Sequence, residues 1–451
     1  MKQASLFLEF IAGLWPKLSL YIKEKVNGNT NGEAKRTYLH KTMLTPVYST
    51  DQKWEGTTAN ITYVAADIVA LDSPLPVKSR PSMGTSSGKL PKIGMKRALR
   101  ESDINTIDQM KATLMLLENS AEPNQANIAR QRSLIINKVT DDATYCAVGI
   151  DEKLEAAFLE GLSNGVALVE DANLNNGTAV RADYGYFPSH RFGLDTKGEI
   201  TEDDIQKVIT KADEDGNTIQ YIALALSKYN EMRRSTFGRV LAANYQNVLY
   251  TDEKQLKTPS AKLFDEAFAD NFGGIQFIKI NRTVIYEKNG KKKSVKPWNA
   301  DHIIFLTANT VGSLVYSTPA ENNHRVKNVE YSIVDGFKLI SKFSVNEPLA
   351  EWTTGQALAL PVIEDVDQIY MLDCADENVK TVDDTAEKAD TTDVYVTIAG
   401  KKYNKADVAK ELTALGVKAD AKMSDATLIK KVNGLSDEDE AKLYLNLKAV
   451  E

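Results

Sequence analysis

EPNQANIARQRSLIINKVTDDATYCAVGIDEKLEAAFLEGLSNG, Glu122 to Gly165, decides how the rest of the chain is read. Pro123 stands near its start, where a fixed φ and a missing N–H cost least. Apolar residues then recur at helical spacing: Ile128, Ile135, Val139, Cys146, Ile150, Leu154, Phe158 and Leu162. No proline interrupts the run, and Asn164-Gly165 closes it as a left-handed cap does. The pattern predicts one helix over about 122–165, on the order of 60 Å long at its usual rise. A mean globular helix has only ~11–12 residues. A helix of this length overruns a single compact core, so it braces several sub-regions or bears on neighbouring molecules.

Working outward, a shorter helical run covers Asp103–Glu118. On the other flank, GVALVED and TAVRADYGYF (165–187) predict a hairpin turning at Asn176-Gly177. Upstream lies DSPLPVKSRPSMGTSSGKLPKIGMKRALR (72–100), with four prolines, seven basic residues and one acidic residue. Long loops of this kind usually have a function. Val77, Leu90, Ile93 and Met95 flank a glycine-rich tip at 84–88, which predicts an extended two-stranded arm without a core of its own. Before it, residues 37–69 are β-like, ITYVAADIVAL (61–71) most clearly. The first 26 residues form an amphipathic arm, followed by a polar hinge at 27–33. Glu9 and Pro16 break its apolar run, and no small-x-small site follows, which argues against a signal peptide or a membrane span.

Downstream of Leu194, Thr201 and Asp204 read as a capping box for a helix that stops at Gly216. IQYIALAL (219–226) predicts a buried strand, with Ser227 placed to cap the next helix. Residues 274–298 predict a hairpin turning at Asn289-Gly290, and strands follow at 302–307, 312–317, 335–345 and 362–372. Together these give a mixed α+β body. Residues 373–393 are acidic and poor in large apolar side chains, the composition of a linker. Beyond them, 394–451 reads as a small module: a strand pair, then helices over 405–415, 424–433 and 436–447.

Catalytic signatures are missing: there is no phosphate-binding loop, nucleophile elbow or His-Glu-x-x-His. Asp301-His302 are neighbours on a strand and point to opposite faces. Two cysteines and four histidines, His40, His190, His302 and His324, show no ligand spacing, so no cofactor or metal is expected. A formal charge of −7 argues against a protein built to wrap nucleic acid. The basic stretch carries no aromatic for base stacking, so a protein contact fits it better. The acidic segment Asp195–Asp215 of a second copy offers it a complementary surface.

Taken in order, four stretches resemble the major capsid proteins of tailed bacteriophages, lambda-type branch. These are SPLPVKSRPSMGTSSGKLPKIGMKR; the long helix with its hairpin into VRADYGYFPSHRFGL (180–194); residues 275–321; and the region from FKLISKFSV through VIEDVDQIYML. The resemblance covers about 1–372 and implies the Hong Kong 97 capsid fold. Residues 1–60 would be the N-arm, 61–104 the E-loop, and 105–194 the P domain with its spine helix. Residues 195–330 would be the A domain, and 331–372 a return to the P domain. It further implies self-assembly into pentamers and hexamers of an icosahedral shell enclosing double-stranded DNA bound without sequence specificity. Scaffolding, portal and decoration proteins would be partners, and the chain would reside in the virion after assembly in the bacterial cytoplasm, with no membrane. Inter-subunit contacts would come from Lys78, Arg80, Lys89, Lys92, Lys96 and Arg97 of the E-loop, and from Phe7, Phe10, Leu14 and Trp15 of the N-arm. The tail module resembles helix–extended loop–helix (HeH/LEM-like) units. An encapsulin-like cargo shell and a DNA-binding protein acting through the tail module are the alternatives.

Overall fold

The computed structural model describes residues 3–26, 37–59, 83–169, 180–196, 198–252, 256–288, 290–377, 395–398, 401–414, 417, 429, 431–432 and 435. The turn at 170–179, the 61–71 run, the 27–33 hinge, residues 378–393 and the 436–447 helix lie outside them, as does most of 424–433. Contacts divide the chain into two units, Met1–Thr381 and Val382–Glu451.

The first unit begins with helical turns α1 (Leu8–Ile11) and α2 (Leu18–Val26), joined by a 3-10 turn at Trp15–Lys17. A short α3 (His40–Met43) leads to β1 (Leu44–Tyr48), β2 (Lys53–Ala59), β3 (Met83–Lys89) and β4 (Lys92–Arg100). Then come α4 (Glu101–Glu118) and α5 (Gln125–Asn164), the long helix. Its 40 residues run from an Asn124 cap, whose side chain accepts from the N–H groups of Ala126 and Asn127, to Gly165 at φ 72. That left-handed cap is open to glycine at little cost.

Hairpin β5 (Val166–Val169) and β6 (Val180–Asp183) follows, then β7 (Arg191–Leu194) and α6 (Glu202–Glu214), with the Thr201–Asp204 capping box in place. Next are β8 (Tyr221–Ala225), α7 (Leu226–Arg234), α8 (Thr236–Tyr245), α9 (Ala261–Asn271), β9 (Gln276–Ile280), β10 (Val284–Lys288), β11 (Lys291–Val295) and β12 (His302–Leu306). The unit closes with β13 (Gly312–Ser317), α10 (Ala320–Asn323), β14 (Glu330–Val334), β15 (Lys338–Asn346), β16 (Leu349–Ile363) and β17 (Ile369–Glu377).

Two sheets organise these strands. The larger has the order β1-β13-β16-β15-β14, with β4 also paired to β16; the other runs β7-β17-β12-β8-β9. One face of the second sheet is covered by α6, α7, α8 and α9, which bury Ile222, Leu224, Phe305, Tyr370 and Leu372 with Phe264 and Phe268. Its other face meets the larger sheet around the C-terminal half of α5, at Ile150, Leu154, Phe158 and Leu162. The N-terminal half of α5 packs in a separate core, with Ile135, Val139 and Cys146 against α4, the larger sheet and the N-terminal segment. The helix therefore braces two cores, and all eight apolar positions read from its sequence are buried.

Several expectations are corrected. The predicted tip at 84–88 lies on β3, whose partner is β2, with Lys53 opposite Lys89 and Ala59 opposite Met83. β4 belongs to the body, its nine residues paired antiparallel with Leu358–Ala350 of β16. Ser227 does not cap α7; Ala225 holds that position without a side-chain bond. Only 284–295 of the 274–298 stretch forms the hairpin, because β9 pairs parallel with β8. The 362–372 run divides between two sheets at Asp365, whose φ of 52 ends one strand before the next begins. Residues 373–377, assigned by composition to the linker, continue β17. Strand β13 lies in the larger sheet and β17 in the second, so the chain passes between the two sheets at 307–311 and 364–368.

The second unit contains the antiparallel pair β18 (Tyr395–Ile398) and β19 (Lys401–Asn404), followed by α11 (Lys405–Ala414). Val408 and Leu412 are buried in it.

Candidate inter-subunit surfaces

The N-terminal segment is held first by its own chain. Phe7, Ile11, Trp15, Leu18 and Ile22 are buried against α4, α5 and the larger sheet. Burial of each such side chain is worth about 1.5–3 kcal/mol. Gln3 exchanges two 3.0 Å backbone hydrogen bonds with Ser344, and the Ser332 hydroxyl donates to Trp15 O at 2.9 Å. The Ser5 hydroxyl and the Leu6 N–H both donate to the Glu351 carboxylate. Of the four residues expected to grip a neighbour, Phe7 and Trp15 are thus buried internally, while Phe10 and Leu14 are half-buried. The apolar side chains left facing solvent are Leu6, Leu8 and Leu20, the last 63% exposed.

The basic segment divides in the same way. Lys78 and Arg80 lie outside the described residues. On β4 the odd positions turn inward: Ile93, Met95 and Leu99 pack on the cores. Arg97 shares that side and reaches α5, 3.3 Å from Asp142 and 4.2 Å over the Tyr145 ring. The structure therefore uses Arg97 as a strut within the chain. Burial raises the Asp142 carboxyl pKa, only partly offset by Arg97 and Lys342. Lys92 and Lys96 point away from the helix and are exposed, with Lys96 lying 4.6 Å over the Trp352 ring. Lys89 is exposed at the foot of the β2–β3 ribbon. That foot is fastened where Trp54 covers Gly88; a Cβ there would stand 2.7 Å from the indole Nε1.

The proposed counterpart, Asp195–Asp215, is less free than its sequence suggests. Asp195 and Asp204 both bind Lys207, and Asp215 binds Lys211. Glu202, Asp203, Asp213 and Glu214 remain exposed.

A set of buried charges clamps the spine helix, and sequence reasoning missed it. The Glu155 carboxylate accepts from the N–H groups of Leu39 and His40 and lies 2.7 Å from His40 Nδ1. Asp151 lies 2.5 Å from Lys338 and 2.9 Å from Lys41, and Lys338 also meets Asp335 at 2.7 Å. Burial pushes the Asp151 carboxyl up, but His40, Lys338 and Lys41 outweigh it and hold it well below the carboxylate range. Glu155 and Asp335 are lowered against burial in the same manner, by His40 and by Lys338 with Lys41. One turn of sheet away, Lys342 is fully buried, donating to Val139 O at 3.1 Å and Thr353 Oγ1 at 3.2 Å, with Glu351 at 3.8 Å. Burial lowers its ammonium pKa, with Glu351 and Asp142 working against that shift. The available signal was Asp142, Asp151 and Glu155 lying within the apolar stripe of the helix instead of opposite it.

Among the described residues no cluster of His, Cys, Asp and Glu is arranged to hold a metal ion, and no helix is long and apolar enough to cross a membrane.

The chain is similar to a prophage capsid protein of E. coli CFT073, with TM-score 0.47 and 12% identity over 79% of this chain and 98% of that one. It is similar to the capsid subunit of cyanophage A-1(L), with TM-score 0.42 and 13% identity over 77% of this chain and 95% of the other. It also resembles the mature capsid of bacteriophage PhiM1, with TM-score 0.40 and 8% identity over 76% and 88%. No protein-family model matches the chain, and no curated protein matches it.

Proposed function

We propose that the chain is the structural, non-enzymatic major capsid subunit of a tailed bacteriophage, built on the Hong Kong 97 plan. It would assemble into pentamers and hexamers of an icosahedral shell around double-stranded DNA, with scaffolding and portal proteins as partners. One observation carries this reading: a 40-residue helix bracing two cores, beside which the β2–β3 and β10–β11 ribbons stand as two-stranded sheets. A two-stranded ribbon is marginally stable alone and gains order from a partner surface. Many modest contacts of this type close a shell by multivalency, and head-to-tail contacts that close give rings.

In this reading the ribbon β2–β3 and the residues between its strands form the E-loop, with Lys89, Lys92 and Lys96 meeting a neighbour. Leu6, Leu8 and Leu20 take the N-arm contact in place of Phe7 and Trp15. Deleting residues 78–97 would remove most of β4 from the body sheet, so charge reversal is the sharper probe. Expression alone and with a scaffolding partner, followed by electron microscopy, should show rings or shells. Lys89→Glu with Lys92→Glu and Lys96→Glu should leave folded subunits that do not close. Monomers under every condition would sink the capsid reading; normal shells from the triple variant would remove the E-loop role. A cargo enzyme copurifying in place of DNA would favour the encapsulin-like alternative.

A further inference from the structure

Residues 288–296 read KNGKKKSVK, five lysines in nine residues with no acidic side chain among them. They fall on the β10–β11 hairpin, where Tyr286 faces Lys293, Glu287 faces Lys292 and Lys288 faces Lys291. Lys291, Lys292, Lys293 and Lys296 are all exposed. Among the described residues the hairpin pairs with no third strand, and its inner side is pinned to the spine helix: Val284 is buried, Arg282 bonds Glu152, and Lys153 lies 5.1 Å over the Tyr286 ring. The cationic end is thus presented on a fixed base.

We propose that this hairpin is a sequence-independent contact for the phosphate backbone of double-stranded DNA, resting on the reading of the chain as a shell subunit. The chemistry selects that partner. The charges are compact lysine ammonium groups, without the arginine forks that read guanine edges. The aromatic ring of the hairpin lies against Lys153, which leaves no stacking platform for a single strand. The chain as a whole carries a net −7, so the hairpin's lysines stand as a local positive patch on a negative chain.

The test uses the full-length chain kept below its assembly concentration, titrated with a random-sequence duplex over a fourfold range of salt. Each phosphate contact contributes about 0.9 to the slope of log K against log salt. Lys291→Gln with Lys292→Gln and Lys293→Gln should lower that slope by about 2–3. Lys257→Gln with Lys262→Gln and Lys327→Gln, an equal change in net charge, should leave it nearly unchanged. Both variants are then imaged for shells. Lost DNA binding with normal shells supports the proposal. Equal loss in both variants, or no loss in either, overturns it. Shells lost with DNA binding retained would make the hairpin a contact with a second copy, through carboxylates such as Glu202 and Asp203, and overturn it as well. A wild-type chain that never forms shells would refute the capsid reading instead.

Discussion

Replacing Glu351 by Gln should expose how the buried charges act. Lys342 and Glu351 are both fully buried, 3.8 Å apart between β15 and β16. Removing one member of a buried pair typically costs about 3–5 kcal/mol, because the other charge is left without compensation. Here Lys342 keeps two neutral acceptors, Val139 O and Thr353 Oγ1, which sets the expectation at the low end, about 3 kcal/mol. That is roughly a hundredfold or more in the folding equilibrium. Urea unfolding of unassembled subunits, followed by tryptophan fluorescence, measures it. The pH dependence gives a second reading. Lys342 has a folded pKa below its unfolded value, so native protein sheds that proton first and the penalty is relieved as pH rises between the two. The loss in Glu351→Gln should therefore shrink from neutral to alkaline pH. Replacing the group with apolar residues, Ser5→Ala, Lys342→Met and Glu351→Leu together, should return stability to within about 1 kcal/mol of wild type. A single variant as stable as wild type, or a triple variant worse than the single, would refute the reasoning.

Three further outcomes are expected. Asp151, Glu155 and Asp335 have lowered folded pKa values, so their stabilisation holds above the ordinary carboxylate range and is lost as pH falls through the folded values. Acid unfolding should therefore steepen below about pH 4, and Asp151→Asn should flatten that slope, as followed by circular dichroism. Gly355→Ala should cost about 1–3 kcal/mol by overpacking, since its Cβ would lie 2.9 Å from Cys146 Cβ and 3.2 Å from Ile340 Cδ1. Thr201→Ala should lose about 1 kcal/mol with the capping box, read as a lower urea midpoint at unchanged slope.

Local chemistry was legible in the sequence, and long-range pairing was not. Gly165 and the Thr201–Asp204 box fix helix ends through φ or their own side chains, so spacing alone located them, whereas Asn124, which caps the start of the long helix, was not read beside Pro123. The hairpin partners β5 and β6 and the β10–β11 ribbon were legible for the same reason. Strand β3 was misread because its partner, β2, lies across a long intervening segment that no local periodicity specifies. β15 shows why the charged clamp was missed: Lys338, Ile340, Lys342 and Ser344 alternate along one face of it and all four are buried. An alternation that puts lysine inside makes sense only once a helix carrying Asp142 and Asp151 lies against it. Likewise Phe7 and Trp15 announce stickiness, but whether a neighbour or the chain's own core satisfies them depends on tertiary packing.

The spine helix is also a lever. Its C-terminal half is gripped where the two sheets meet, and its N-terminal end runs out to the α4–α5 turn, where residues 119–127 are all exposed. Over about 60 Å of helix, a tilt of about 5° at one end displaces the other by about 5 Å. A force applied at that turn by an adjoining molecule would thus arrive at the seam between the sheets. The Asp151–Lys338 and Glu155–His40 contacts sit close to the fulcrum, where they resist rotation with the least travel.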